Sequence, residues 1–258
     1  MIRPVPSGPQ VDAWWFDAGR TTLGPAELAE LSAGERDRAA AFVFAADRHR
    51  YQAAHVALRR VLARYTGISP HDLSFRREPC PRCGGPSGRP VLTAAGPLAA
   101  VPWFSLSHTG DVVLVAVAGR PVGADAERDP GRCVCSLAGS MHPADAARVA
   151  GLTGQARHRA VIGWWVRAEA ALKCAGEGIT HRLGEFPVLP PATACPGPAP
   201  GGCELATVPA PPGCQAAVAL AAPAPGLRVT IAGPLPGPAA GPPGTLGEGS
   251  ERAARRQR

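Results

Sequence analysis

Lysine is nearly missing from this chain: of 27 Lys and Arg, 26 are Arg and one, Lys173, is lysine. Aromatic residues are sparse at 5%, and methionine occurs twice. No apolar run approaches the ~18–20 residues of a membrane-spanning helix. The opening MIRPVPSGPQ lacks the apolar segment of a signal peptide. A cytoplasmic protein without a membrane partner is therefore expected. The net charge is +7 and the pI about 9.3. Arg is nevertheless spread along the chain without an aromatic-interleaved stripe, which argues against nucleic acid as the partner. An acidic protein or a polyphosphate ligand suits the charge better. Eight cysteines are present, but no second metal-knuckle pair. CPRC at 80–83 has the spacing of half a zinc site, whereas CVC at 133–135 is too short to complete it. Reduced cysteines and a cysteine-containing turn at Cys80–Cys83 are expected.

What is present suffices for one large domain or two small ones: 258 residues, 45% hydrophobic. High Gly, Pro and Ala with Arg in place of Lys points to a GC-rich coding bias, and a lysine that survives it is a candidate functional residue. VDAWWFD (11–17) reads as a strand. Residues 24–44 read as helix broken near Gly34. Ala54, Leu58, Val61, Leu62 and Tyr65 recur at helical spacing between Asp47 and Tyr65. GISPHDLSF (67–75) is a turn entering a strand, followed by a Gly/Pro/Cys-rich loop ending in GRPVL (88–92). Residues 103–127 read as strand, tight loop, strand, a hairpin turn at Gly119–Pro121, and strand. Two helices are expected over 142–175, stopped by Gly176 and Gly178. CQAAVALAA (214–222) is the last expected strand, and the Pro/Gly/Ala-rich remainder reads as a disordered tail.

Three stretches carry chemistry. In RPVGADAERD, Asp125 and Glu127 stand at i and i+2, on the same side of an extended chain, where like charges repel unless a cation lies between them or both face water. In SLSHTGD, His108 follows Ser107 in a Gly-containing loop ahead of a strand. In WWVRAEAALKCAGEG, Trp165, Glu169 and Lys173 fall at i, i+4 and i+8, on one helix face.

Taken in order, FSLSHTGD, VGADAE and WVRAEAALKCAGEG resemble the motifs of the 4′-phosphopantetheinyl transferases of the type that activates surfactin synthetase. GRP at 88–90 resembles that family's Gly-Lys-Pro loop, and FVFAADRHRYQAAHVALRRVL resembles its arginine-bearing helix. The resemblance spans roughly residues 10–220. It implies an α+β fold of two similar αβ subdomains about a pseudo-twofold axis, with coenzyme A in the cleft between them. The subdomains would span residues 1–118 and 119–222, and the tail 223–258. It further implies that Asp125, Glu127 and Glu169 hold Mg²⁺ and that Glu169 takes the proton of a carrier-protein serine. Ser107 and His108 would contact coenzyme A phosphates, Arg38 and Arg50 the 3′-phosphate, and Lys173 the pyrophosphate. Gly88, Arg89 and Pro90 would lie near the adenine end. The partner would be an acidic acyl- or peptidyl-carrier protein, the enzyme a monomer, and the products holo carrier protein and adenosine 3′,5′-bisphosphate.

Two positions depart from the family pattern. Ala168 stands where the family has a lysine before its catalytic glutamate, and Glu35 stands where many relatives carry a first basic phosphate ligand. Ala168 keeps a rival reading in view: a non-catalytic relative that binds coenzyme A or a carrier protein without turnover.

Overall fold

Strand β1 (Gln10–Asp17) sets the layering of the molecule. Alternation sends Asp12, Trp14 and Phe16 to one face and Val11 and Ala13 to the other, so each face joins a separate apolar cluster. The structure is a computed structural model, and it describes residues 2–93, 101–129, 135–177, 183–189 and 202–233.

After β1 come α1 (Pro25–Ala29), α2 (Ala33–Ala40) and α3 (Ala45–Thr66). The break in this helical stretch falls before Ser32, which caps α2; Gly34 lies inside α2. Strands β2 (Ser74–Arg77) and β3 (Pro90–Thr93) pair as an antiparallel ribbon. Next are β4 (Trp103–Thr109), β5 (Val112–Ala118) and β6 (Val122–Arg128). The chain continues through α4 (Cys135–Ala138), α5 (Pro143–Ala150) and α6 (Gly154–Ala175). Strands β7 (Cys203–Thr207), β8 (Cys214–Ala221) and β9 (Arg228–Ile231) complete the described elements.

The strands form a four-stranded sheet ordered β4-β5-β1-β9 and a three-stranded sheet ordered β6-β8-β7. β5 (VVLVAVA) is buried on both faces. Val113, Val115 and Val117 pack toward α3, while Leu114, Ala116 and Ala118 pack toward the second sheet. That second interface is rich in alanine: Ala13, Ala116, Ala118, Ala124, Ala126 and Ala216. The far face of the second sheet, with Ala217 and Ala219, packs on α6. The mixed α and β content expected from the sequence is present as four layers: helix, sheet, sheet, helix.

Two expectations are corrected. Residues 119–121 do not close a hairpin, because β5 and β6 are not paired; the chain crosses there from the first sheet to the second. The tail does not begin at 223. Ala224 is fully buried, and β9 pairs in parallel with β1, Val11 opposite Val229. The first sheet is thus completed by residues outside 1–118, and β7 and β9 are strands the sequence reading passed over. Residues 234–258 and Gly178 lie outside the described residues, as does Cys133. Among the described residues no helix is long and apolar enough to cross a membrane.

Candidate active site

β6 and α6 build the centre of the site. Alternation along β6 turns Ala124 and Ala126 into the alanine interface and Asp125 and Glu127 toward α6. Gly123 allows the helix to come this close: a Cβ there would run into the carbonyl of Ala170 and the amide of Cys174. Gly176, at φ +80°, ends α6 in the left-handed conformation. Lys173 therefore reaches back from the last turn, and its Nζ donates to Asp125 Oδ1 at 2.6 Å and to the Ala124 carbonyl at 3.2 Å. One turn earlier Glu169 is 3% exposed.

Three carboxyls thus crowd around one ammonium. Burial, with the charges of Asp125 and Glu127 and against the pull of Lys173, pushes the Glu169 carboxyl up to about 7. Burial and Asp125 also raise Glu127, while Thr109 and Trp165 oppose the rise by hydrogen bonding. Asp125 Oδ2 and Glu169 Oε1 are buried without a hydrogen-bond partner. The cluster is short of positive charge and of donors, the condition a bound cation relieves. Among the described residues, however, no three His, Cys, Asp or Glu side chains converge at metal-ligand spacing. In this arrangement the ammonium of Lys173 occupies Asp125 Oδ1, and the bare Oδ2 of Asp125 and Oε1 of Glu169 are the oxygens that a cation would meet.

Residues 105–109 are strand and not loop, and this divides Ser107 from His108. Ser105, Ser107 and Thr109 share the β4 face toward the second sheet. Their hydroxyls accept the β6 amides of Ala124, Ala126 and Arg128 at 3.0, 3.2 and 3.1 Å. Ser107 Oγ also donates to Asp125 Oδ1 at 2.8 Å, and Thr109 Oγ1 to Glu127 Oε2 at 3.0 Å. Ser107 is therefore buried and bonded to β6 through both its donor and its acceptor. His108 points the other way, into a cavity of about 750 Å³. Desolvation of its ring, with Lys173 and Arg50, holds its pKa below the ordinary histidine value.

That cavity runs from Arg38 and Tyr51 past Arg76, Arg77 and Gly88–Pro90 to Glu169 and Lys173. Cations outnumber carboxylates along its wall, which suits a ligand bearing several phosphates. Arg38 is exposed in it. Arg89 lines it but is heavily tied: Nε to Glu78 at 2.8 Å, Nη1 to the Cys174 carbonyl at 2.5 Å, and its guanidinium 4.9 Å from the Trp103 ring centre. The Gly88 carbonyl accepts from Arg77 at 2.8 Å, and Pro90 opens β3. Arg50 is outside the lining. It pairs with Asp111 at 2.7 Å and Asp47 at 2.9 Å. Arg76, Arg77 and His55 are cavity residues the sequence reading missed. Nothing in the local sequence marks them apart from other basic residues.

Both departures from the family pattern find structural explanations. Glu35 caps α2, accepting from Ser32, and binds the buried Arg59 at 2.7 Å. Ala168 is 2% exposed among Val149, Val161, Trp164 and Val188, so its side chain lies in an apolar cluster and not among the carboxylates. Arg167 donates to the Val188 carbonyl at 2.6 Å and holds the 183–189 segment against α6. CPRC forms a turn closed by backbone bonds between Cys80, Gly84 and Gly85.

Comparison with known proteins bears on the same residues. Residues 25–120 match the family model described as 4′-phosphopantetheinyl transferase, N-terminal. A putative 4′-phosphopantetheinyl transferase of Synechocystis sp. is 28% identical over 180 residues, 69% of each chain. A phosphopantetheinyl transferase of Thraustochytrium sp. is 30% identical over 67% of this chain and 63% of its own length. The 4′-phosphopantetheinyl transferase HetI of Nostoc sp. is 32% identical over 58% of this chain and 62% of its own length. The matched stretches thus leave about a third of each relative uncovered.

Proposed function

We propose that this chain is a 4′-phosphopantetheinyl transferase that transfers the phosphopantetheinyl arm of coenzyme A to a serine of an apo carrier protein, a reading supported by the family-model match over residues 25–120 and by the three relatives. The observation that carries the reading is the junction of two environments: a basic cavity of about 750 Å³ whose end wall is Glu169 and Lys173, backed by Asp125 and Glu127. A pseudo-twofold relation of two halves belongs to the same reading, supported by the two 22-residue helices α3 and α6 laid on opposite outer sheet faces.

The roles follow from placement. Arg38, Arg76 and Arg77 present always-charged guanidiniums to the phosphates of coenzyme A. His108, its pKa below the ordinary histidine value, is largely neutral near pH 7 and serves there through a ring N–H. Lys173 places a compact ammonium at the pyrophosphate end. Asp125, Glu127 and Glu169 would hold Mg²⁺, which when bound neutralises the pyrophosphate and steadies the leaving group. The unpartnered Oε1 of Glu169 accepts the serine proton, directly or through water. The serine oxygen bonds to phosphorus as the bond to adenosine 3′,5′-bisphosphate breaks, and that product leaves with the electron pair. The +7 surface suits an acidic acyl- or peptidyl-carrier protein, of the kind served by the surfactin-synthetase-activating type.

Intact-protein mass of an apo carrier protein, incubated with this chain, coenzyme A and Mg²⁺, tests the proposal. A gain of one phosphopantetheinyl arm is expected. Coenzyme A binding without any gain in mass would convert the reading to the non-catalytic relative.

A further inference from the structure

The three hydroxyls of β4 make one bond in common and differ in a second. Ser105, Ser107 and Thr109 each accept an amide of β6. Among the described residues Ser105 donates to no carboxylate, whereas Ser107 and Thr109 donate to the side chain of the residue just before the amide they accept. Each of these two clamps therefore grips β6 twice, by backbone and by side chain. A hydroxyl fixed at both ends cannot rotate, and neither can the carboxylate it holds. At Asp125, Ser107 and Lys173 both occupy Oδ1, which leaves Oδ2 as the bare oxygen.

We propose that Ser107 and Thr109 are positioning residues that reach across from the first sheet to aim Asp125 and Glu127, and that Ser107 does not touch the substrate. This rests on the carboxylate-held cation proposed above. Lost outer contacts of metal ligands typically cost ~10–100-fold in metal affinity. Ser105 supplies the internal control, since its removal deletes the shared bond alone.

The test uses the full chain stripped of metal, as wild type, Ser105→Ala, Ser107→Ala, Thr109→Val and Thr109→Ser. Mg²⁺ affinity is read by calorimetry, and coenzyme A affinity is read separately in EDTA. Removing any of the three hydroxyls should lower the melting temperature by a similar amount. Only Ser107→Ala and Thr109→Val should weaken Mg²⁺, by ~10-fold or more, with Thr109→Ser restoring it. Coenzyme A affinity in EDTA should stay within ~2-fold for Ser107→Ala and both Thr109 variants, because neither residue lines the cavity. If Ser105→Ala weakens Mg²⁺ as much as Ser107→Ala, the clamps are structural and the inference fails. A ~10-fold loss of coenzyme A affinity in Ser107→Ala overturns it by restoring the phosphate contact. If Ser107→Ala does not fold, the Thr109 pair, less buried, decides alone. A wild type that binds no Mg²⁺ defeats the cation reading itself, and this inference with it, a result visible before any variant is compared.

Discussion

Glu169→Gln should make the metal-free protein more stable at alkaline pH and leave it almost unchanged in acid. The glutamate is held at about 7 in the fold against an ordinary value of 4.5. Below pH 4.5 both folded and unfolded chains carry the proton, and the site costs nothing. Between about 4.5 and about 7 the unfolded chain has released its proton while the folded chain keeps it, so stability falls as pH rises. Above that window the whole penalty is present, at most ~3.5 kcal/mol on the conversion of ~1.4 kcal/mol per pH unit. Glutamine has the same shape without the charge, and its amide can donate to the neighbouring carboxylates. Urea unfolding in EDTA at pH 5 and pH 8 measures the effect. The variant should exceed wild type by less than ~1 kcal/mol at pH 5 and by ~2–3 kcal/mol at pH 8, within the bound set by linkage. Saturating Mg²⁺ should erase most of that difference at pH 8. Parallel stability curves for the two proteins across this range would refute the charge-crowding argument.

Lys173→Arg should lower kcat/KM for transfer at least ~10-fold, about 1.4 kcal/mol, because a planar guanidinium cannot repeat the compact contact to Asp125 and Ala124; Arg167→Lys on the same helix should disturb melting temperature more than turnover, since Arg167 holds Val188. Gly123→Ala should push α6 off β6, lowering stability by ~1–3 kcal/mol and turnover together, as a melting curve and a transfer assay would register. Removing residues 223–258 should lower the melting temperature by several degrees through loss of β9 and Ala224, and an unchanged melting curve would show that these contacts contribute nothing.

The quartet of Asp125, Glu127, Glu169 and Lys173 was legible because two periodicities, 2 in a strand and 3.6 in a helix, each put their charges on one face. The mixed α and β content followed from the same periodicities. What was not legible depended on packing at a distance. Ser107 and His108 look like neighbours with a shared task, yet a strand turns adjacent residues to opposite sides, and the reading as a loop concealed that. Arg50 has the right residue type, but the two carboxylates beside it are visible only in the fold. β9 is a short Arg-Val-Thr-Ile run inside a Pro- and Gly-rich stretch, and only the open edge of β1 makes it a strand. Ala168 reads as a missing charge in one dimension and as a filled apolar position in three.

The pairing of β9 with β1 has a consequence for synthesis. Until Arg228–Ile231 has left the ribosome, β1 can pair only through β5 and keeps its other edge unsatisfied. The first strand made therefore waits for the last described strand, a contact of very long sequence separation that slows folding and leaves a hydrogen-bonding template open in the nascent chain. Apolar surface at Val11 and Ala13 borders that edge. Chains released early, or stalled before residue 228, would present the same edge to one another, and their expected fate is strand-to-strand association.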